Sequence, residues 1–244
     1  MDLNGKVCLI TGASGGIGEA LAYELAKEGA SLVLFARRAE RLEKVAMTIG
    51  QERSAAVVGD VRNADDIRRA VATAVARFGG LDILINNAGV SVLGHLHSIP
   101  IELVEQGWAI NVIGPILCVQ AALPEIEKRG GLIVNISSAM SLRPTKTLGV
   151  YSATKAALNV MSASLREELR ERGVRVLTVH PGFIANEFTR NSLAAPGMEA
   201  DLQRLTAMPT GRTSADAARD IVAAMKADAE VYRSLPEMPL TTPL

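Results

Sequence analysis

The sequence predicts an α/β protein built on a doubly wound, Rossmann-type parallel sheet. Short apolar runs alternate with longer helical patterns along most of the chain, and glycines fall just past several predicted helix ends. The composition agrees: 48% of residues are hydrophobic but only 3% aromatic, so the core is made of Ala, Val, Leu and Ile. Such a core suits buried parallel strands covered by helices on both faces.

Six apolar runs have the length of fully buried strands: 7–10, 31–35, 55–58, 81–85, 132–136 and 174–179. Between them, helical patterns cover 17–28, 40–49, 64–78, a long stretch over 101–128, and 150–172. Gly29, Gly50 and Gly173 stand where a helix ends in a left-handed cap. Repeated alternation of this kind implies right-handed crossovers and about seven strands with helices on both faces. Ligands of such sheets bind at the carboxyl ends of the strands.

A length of 244 residues fits a single domain over 1–244, without linker, repeat or low-complexity tract. The one shift in composition is late. Residues 186–212 are polar and punctuated by Pro196, Gly197, Pro209 and Gly211, which predicts a loop with short helices. A last helix over 214–227 and a short strand near Val231 lead to a Pro-rich tail, 235–244.

Lys plus Arg and Asp plus Glu both number 26, a balance with no general attraction for nucleic acid or an anionic membrane. Phosphate recognition therefore has to be local. Cys8 and Cys118 sit in apolar stretches and read as buried free thiols, without the paired spacing of a zinc or redox site. The start, MDLNGKVCLITG, does not resemble a signal peptide. No run approaches the roughly 18 apolar residues of a membrane span, so a cytoplasmic protein is expected.

Directly after the first strand comes Thr11-Gly12-Ala13-Ser14-Gly15-Gly16-Ile17-Gly18, then a helix. Glycines at a strand-to-helix turn leave the helix's free N–H groups on an open surface, where they and the helix dipole can hold a pyrophosphate. Gly12 permits the tight turn, Gly16 the approach of phosphates, and Gly18 close packing of helix on sheet. The turn could also be purely structural. Its spacing, G-x-x-x-G-x-G, departs from the G-x-G-x-x-G dinucleotide fingerprint. It resembles instead the TGxxxGIG turn of the classical short-chain dehydrogenase/reductases.

The second strand ends in Leu34-Phe35-Ala36-Arg37-Arg38. Dinucleotide folds that take NAD offer a carboxylate here to the ribose hydroxyls. Ala36 replaces it, and two guanidiniums follow. A carboxylate repels a 2′-phosphate, whereas Arg binds it bidentately, so NADP(H) is expected with Arg37 as phosphate ligand and Arg38 in support. The two arginines could also simply end a strand in water. Many NADP-dependent members of the family have a second basic residue in the turn, where this chain has Gly15.

The resemblance extends to further cofactor elements. Asp60-Val61 follows the third strand, where the family's Asp contacts the adenine. Asn86-Asn87-Ala88-Gly89 matches its NNAG. There Asn87 stabilises the sheet, while Ala88 and Gly89 let the backbone pass close to the cofactor. His180-Pro181-Gly182 matches the PG motif lining the nicotinamide, with the backbone of Ile184 on the carboxamide. Asn186 stands where relatives usually have Thr.

Reducing a carbonyl by hydride transfer requires a proton for the developing alkoxide. Tyr151 and Lys155 have the i, i+4 spacing that sets both on one helix face. The ammonium is expected to lower the phenol's pKa. A Y-x-x-x-K pattern alone describes many ordinary surface pairs. Here Ser138 lies 13 residues before Tyr151, the family's spacing between its catalytic Ser and Tyr. Ser138 would donate a hydrogen bond to the substrate oxygen. Ser137 and Ser141 are competing hydroxyls.

Asn111 matches the family's fourth catalytic residue, which helps hold a water that relays protons to the Lys; it could equally satisfy a kink in the long helix. Trp108 reads as core. His95 and His97 form an H-x-H without a third ligand at a recognisable spacing, so no metal is expected.

The resemblance runs from about Lys6 to Ile184 and implies strand order 3-2-1-4-5-6-7 in a homodimer or homotetramer. The Gly-Gly turn that closes many tetrameric relatives is missing. The expected activity is oxidoreduction of an apolar carbonyl compound or secondary alcohol, with Leu93, Leu96, Leu142, Phe183 and Phe188 suggesting the pocket. The alternative is a regulatory or scaffold protein that binds the cofactor without turnover.

Overall fold

Every residue of strand β1 (Val7–Thr11) is buried, as an apolar run without polar alternation requires when helices cover both faces. The computed structural model describes residues 1–143, 145–184, 186–208 and 211–234. The expected Pro-rich tail, 235–244, and Pro209 of the polar segment lie outside the described residues.

Strands β2 (Ser31–Ala36), β3 (Ser54–Val58), β4 (Ile83–Asn86), β6 (Leu132–Ile136), β7 (Arg175–His180) and β9 (Val231–Arg233) join β1 in one parallel sheet. Its order is β3-β2-β1-β4-β6-β7-β9, the expected order when the strands of this sheet alone are counted. Leu9 of β1 pairs with Val33 on one side and Leu84 on the other. The short strand expected near Val231 is the sheet's last, beside β7.

Helices divide between the two faces. On one, Leu21 and Leu25 of α1 (Gly16–Lys27), Leu42 and Val45 of α2 (Ala39–Ile49), and Ile221 and Val222 of α8 (Ser214–Lys226) pack with Cys8 and Ile10. On the other, Ile67 and Ala74 of α3 (Ala64–Phe78) meet Leu9, with Cys118, Ala122 and Ile126 of α5 (Gly114–Glu127). Each fully buried Leu or Ile contributes roughly 1.5–3 kcal/mol. Both cysteines are free and buried, and burial pushes both thiols up, Cys118 to about 12.

Side chains cap the starts of two helices, α3 and α8. Asn63 accepts the N–H groups of Asp65 and Asp66 at the head of α3, and Gly79 ends that helix at φ 78°. Thr213 and Asp216 form a reciprocal capping box on α8.

Four details depart from the sequence reading. The strand expected from 81 begins at Ile83. Just before it, buried Asp82 accepts the Val7 N–H at 2.9 Å and pairs with Lys6 and Arg129. The helix expected over 101–128 is α4 (Ile101–Trp108), a π turn (Ala109–Ile113) and α5. This continuous run is long and apolar enough to match a membrane span by length and composition, against expectation, although Cys118, Ala122 and Ile126 pack it on the sheet. Trp108, read as core, is 37% exposed, on a run where Ile113 and Ile116 are exposed too.

The polar 186–212 segment contains α7 (Glu199–Thr206) and a short strand, β8 (Leu193–Ala194). β8 pairs in parallel with β5 (Val92–Leu93), Val92 opposite Leu193 and Leu93 opposite Ala194.

Candidate active site

A cavity of about 590 Å³ opens where the sheet order reverses, above the carboxyl ends of β1, β4 and β6. Its wall contains all the predicted site residues except Gly18 and Asn111, which stand just behind it.

The glycine turn forms one end. Gly12 adopts φ +69°, and a Cβ there would lie 2.9 Å from the Ala88 Cα and the Asn87 amide. At Gly18 a Cβ would collide with that amide and with the Gly12 carbonyl. Asn87 Nδ2 donates to the Thr11 carbonyl at 2.8 Å. Thr11 Oγ1 accepts the N–H groups of Asn87 and Ala88 at 3.0 Å each. The end of β4 is thereby laced to the start of the turn.

Over Gly16 the space is open: a methyl group placed there would meet nothing nearer than the Asn186 amide at 3.6 Å. Helix α1 begins there with no side chain capping its N-terminus. An uncapped helix start facing a cavity across bare glycine backbone fits a pyrophosphate. The cradle thus fits a dinucleotide.

Two arginines border that end. Arg37 is exposed and lines the cavity. Arg38 folds back on the turn, Nε donating to Ser14 Oγ at 3.1 Å and Nη2 to the Ser14 carbonyl at 3.0 Å. Asp60 lines the cavity as well. Its carboxylate is held below the usual range chiefly by hydrogen bonds from Arg62, with Arg37 contributing through its charge.

Helix α6 (Gly149–Leu169) carries Tyr151 and Lys155 at the other end, 7% and 4% exposed. Lys155 Nζ donates to the Ile136 carbonyl at 2.8 Å. The phenol's pKa does not fall as expected. Burial pushes it up to about 12, against a hydrogen bond with the Ser138 side chain that pulls it down. Burial also draws the Lys155 ammonium down to about 8. Desolvation of both groups outweighs the attraction that their spacing suggested.

Ser138 stands in extended backbone two residues beyond β6, and its Oγ accepts the Met140 N–H at 3.1 Å. The two competing hydroxyls are engaged elsewhere. Ser137 Oγ donates to Asn159 Oδ1 at 2.5 Å, and Ser141 Oγ donates to the Ser138 carbonyl at 2.5 Å while accepting from Asn159 Nδ2 at 2.9 Å. The sequence reading missed Asn159, although it stands four residues beyond Lys155 on the same helix.

Asn111, in the π turn, is fully buried. Its amide bonds the backbone of Val90 in both directions and donates to Thr154 Oγ1 at 3.0 Å.

Of the apolar residues suggested for the pocket, Phe183 and Phe188 line it. Leu96 is 72% exposed, Leu142 lies outside the wall, and Leu93 is buried in a small cluster with Leu148 and Tyr151. Ile110, Met140, Leu148 and Leu205 are among the other apolar residues of the wall. The Phe188 ring stands 5.9 Å from that of Tyr151. His95 and His97 stack on each other at 5.4 Å, and among the described residues no three His, Cys, Asp or Glu side chains gather as a metal site.

A doubly wound sheet, a glycine cradle at its switch point and a buried Ser–Tyr–Lys set define a Rossmann-type oxidoreductase. The model of the short chain dehydrogenase family matches residues 6–196, and the chain belongs to that family, in its classical form. An uncharacterised oxidoreductase of Methylorubrum extorquens is 40% identical over 215 residues, 86% of each chain. Among solved structures, a 3-ketoacyl-(acyl-carrier-protein) reductase from Brucella melitensis, complexed with NADH, superposes with a TM-score of 0.85 at 28% identity, covering 95% of this chain and 97% of that one. A short chain dehydrogenase from Burkholderia cenocepacia, in complex with NADP, gives 0.82 at 32% identity, covering 96% and 97%.

Proposed function

We propose that this oxidoreductase interconverts an apolar carbonyl compound and its secondary alcohol with NADP(H), Tyr151 serving as general acid and base. One observation carries this reading: Ser138, Tyr151 and Lys155 stand together in the wall of one cavity, the Ser138 hydroxyl near enough to draw the phenol's pKa down and Lys155 buried one helical turn away.

The turn at Gly12, Ser14, Gly15, Gly16 and Ile17 would hold the pyrophosphate, and Asp60, Val61, Ala88 and Gly89 the adenosine side. Pro181, Gly182 and Ile184 would border the nicotinamide. Arg37, with Arg38 behind it, offers guanidinium groups to a 2′-phosphate, and no carboxylate stands at Ala36 to repel it. When bound, the nicotinamide supplies or accepts the hydride and, oxidised, adds a positive charge that favours the phenolate.

The protein's own groups handle the proton. Ser138 Oγ already accepts from Met140, so its proton is available to the substrate oxygen. Tyr151 Oη gives its proton to that oxygen as negative charge develops there, and takes it back in the reverse direction. Lys155 holds a cation one helical turn from the phenol, and Asn111 fixes the Val90 backbone at the cavity wall. Phe183, Phe188, Met140 and Leu148 give the substrate an apolar surface.

Exposed Trp108, Ile113 and Ile116, with Val160 of α6 at 71% exposure, support assembly into a homodimer or homotetramer through these helices. A cytoplasmic location is in keeping with the two buried free thiols.

The test is a panel of apolar ketones assayed with NADPH and NADH, for the wild type, Tyr151→Phe and Arg37→Ala. Turnover with NADPH that Tyr151→Phe abolishes supports the mechanism; equal turnover in that variant overturns it. A preference for NADH unaltered by Arg37→Ala overturns the cofactor assignment.

A further inference from the structure

At the phosphate end of the cavity Arg38 belongs to a charged cluster whose other members have no task in the proposed reaction. Its centre is Glu187. One carboxylate oxygen accepts from Arg38 Nη1 at 2.7 Å, and Arg41 Nη1 donates to both oxygens, at 2.5 and 2.6 Å. The bridge lies on the glycine turn itself: a Cβ at Gly15 would meet Arg38 Nη2 and Glu187 Oε1, each at 2.6 Å. The absence of a side chain at 15 is what admits it.

The partners come from distant parts of the chain. Arg38 and Arg41 flank the start of α2, whereas Glu187 belongs to the segment that also carries Asn186 and Phe188. Arg38 also holds Ser14 through two hydrogen bonds, so its guanidinium is fixed at the rim where an anionic ligand enters. The hydrogen bond from Arg41 holds the Glu187 carboxyl below the usual range, so it stays ionised at neutral pH.

A carboxylate and a phosphate compete for the same guanidinium N–H groups. By contrast, Arg37 lines the cavity without a hydrogen bond or ion pair to any described residue. We propose that Glu187 is a cofactor-selectivity residue: it neutralises Arg38 and Arg41, competes with the 2′-phosphate for them, and tempers the preference that Arg37 sets. This inference rests on the NADP(H) reading above.

The experiment is fluorescence titration of the full chain with NADPH and with NADH at low and moderate salt, for the wild type, Glu187→Gln, Glu187→Asp and Arg37→Ala. Glu187→Gln is expected to tighten NADPH by about fivefold or more, move NADH by less than about twofold, and steepen the salt dependence for NADPH alone. Glu187→Asp, which keeps the charge, stays near the wild-type ratio. A carboxylate that merely tethered its segment would shift both cofactors alike. An equal shift, or weaker NADPH binding in Glu187→Gln, with wild-type preference for NADPH intact, overturns this inference alone. A wild-type preference for NADH that Arg37→Ala leaves unchanged overturns the NADP(H) reading and this inference together.

Discussion

Asn111 and Val90 hold each other by a two-way hydrogen bond, the Val90 N–H to Asn111 Oδ1 at 2.9 Å and Asn111 Nδ2 to the Val90 carbonyl at 2.8 Å. The amide fills both roles at once, accepting through its oxygen and donating through its nitrogen, whereas a carboxylate accepts but does not donate. Asn111→Ala leaves two part-buried backbone groups of Val90 without partners, at a cost of roughly 1–3 kcal/mol for each one that water fails to reach. Urea unfolding is expected to show a loss of about 2–4 kcal/mol. A variant as stable as the wild type would show that this bond does not hold the Val90 backbone in place.

Lys155 links stability to pH. Its folded-state pKa is about 8 against an ordinary 10.5, so between those values the unfolded chain binds more protons and stability rises with pH. Below pH 8 the full cost of burying the ammonium applies, on the order of 3 kcal/mol. Lys155→Met is therefore expected to be more stable than the wild type at pH 7 and to lose that advantage as pH rises from 8 to 10.5. It should also be inactive. Denaturant melts across that range check the sign, and a difference independent of pH counts against it.

Tyr151 gives the complementary profile. With the phenol high, the proton donor is present across neutral pH, so ketone reduction should stay flat there and alcohol oxidation should rise with pH. Tyr151→Phe is expected to reduce kcat in both directions by roughly 10²–10⁴-fold. Steady-state kinetics over pH 6–10 tests this, and an unchanged slope for oxidation in the variant would exclude the phenol as the titrating group.

Ser138→Ala should lower kcat by roughly 10²-fold through loss of a donor to the developing oxyanion. Asn159→Ala acts one step away, by releasing Ser137 and the Ser141 that holds the Ser138 carbonyl. A smaller fall in kcat, about tenfold, with KM little changed is expected. If Ser137→Ala proved more damaging than Ser138→Ala, the two serines would have to exchange roles.

Gly18→Ala places a methyl group against the Asn87 amide and the Gly12 carbonyl. Such overpacking costs about 1–3 kcal/mol, and because it spreads the turn, dinucleotide affinity should fall with stability. Calorimetry of the variant with and without NADPH separates the two effects.

The sheet was legible because its strands are buried on both faces, so each reads as an uninterrupted apolar run. The glycine turn, Ser138, Tyr151 and Lys155 were legible because local backbone and helix geometry fix their spacing. What escaped depends on contacts between distant segments. Glu187 meets Arg38 and Arg41 across about 150 residues of chain, with no periodicity to announce it. Trp108, read as core, and Leu96, suggested for the pocket, are apolar by type, yet both are exposed. The phenol's pKa was misjudged because spacing reports the neighbouring charge and says nothing of how deeply both groups are buried. Asn159 alone could have been found, from its place one turn beyond Lys155.

The pairing of β5 with β8 joins a stretch that reaches the cavity wall at Ser91 to the segment that brings Asn186, Glu187 and Phe188 there, through parallel partners at Val92–Leu193 and Leu93–Ala194. They therefore behave as one exchangeable cassette. Grafting either stretch alone from a relative would strand the other's backbone amides and shift the Phe188 side of the pocket. Swapping both together keeps the seam closed, making the pair the natural unit for redesigning which carbonyl compound this scaffold accepts.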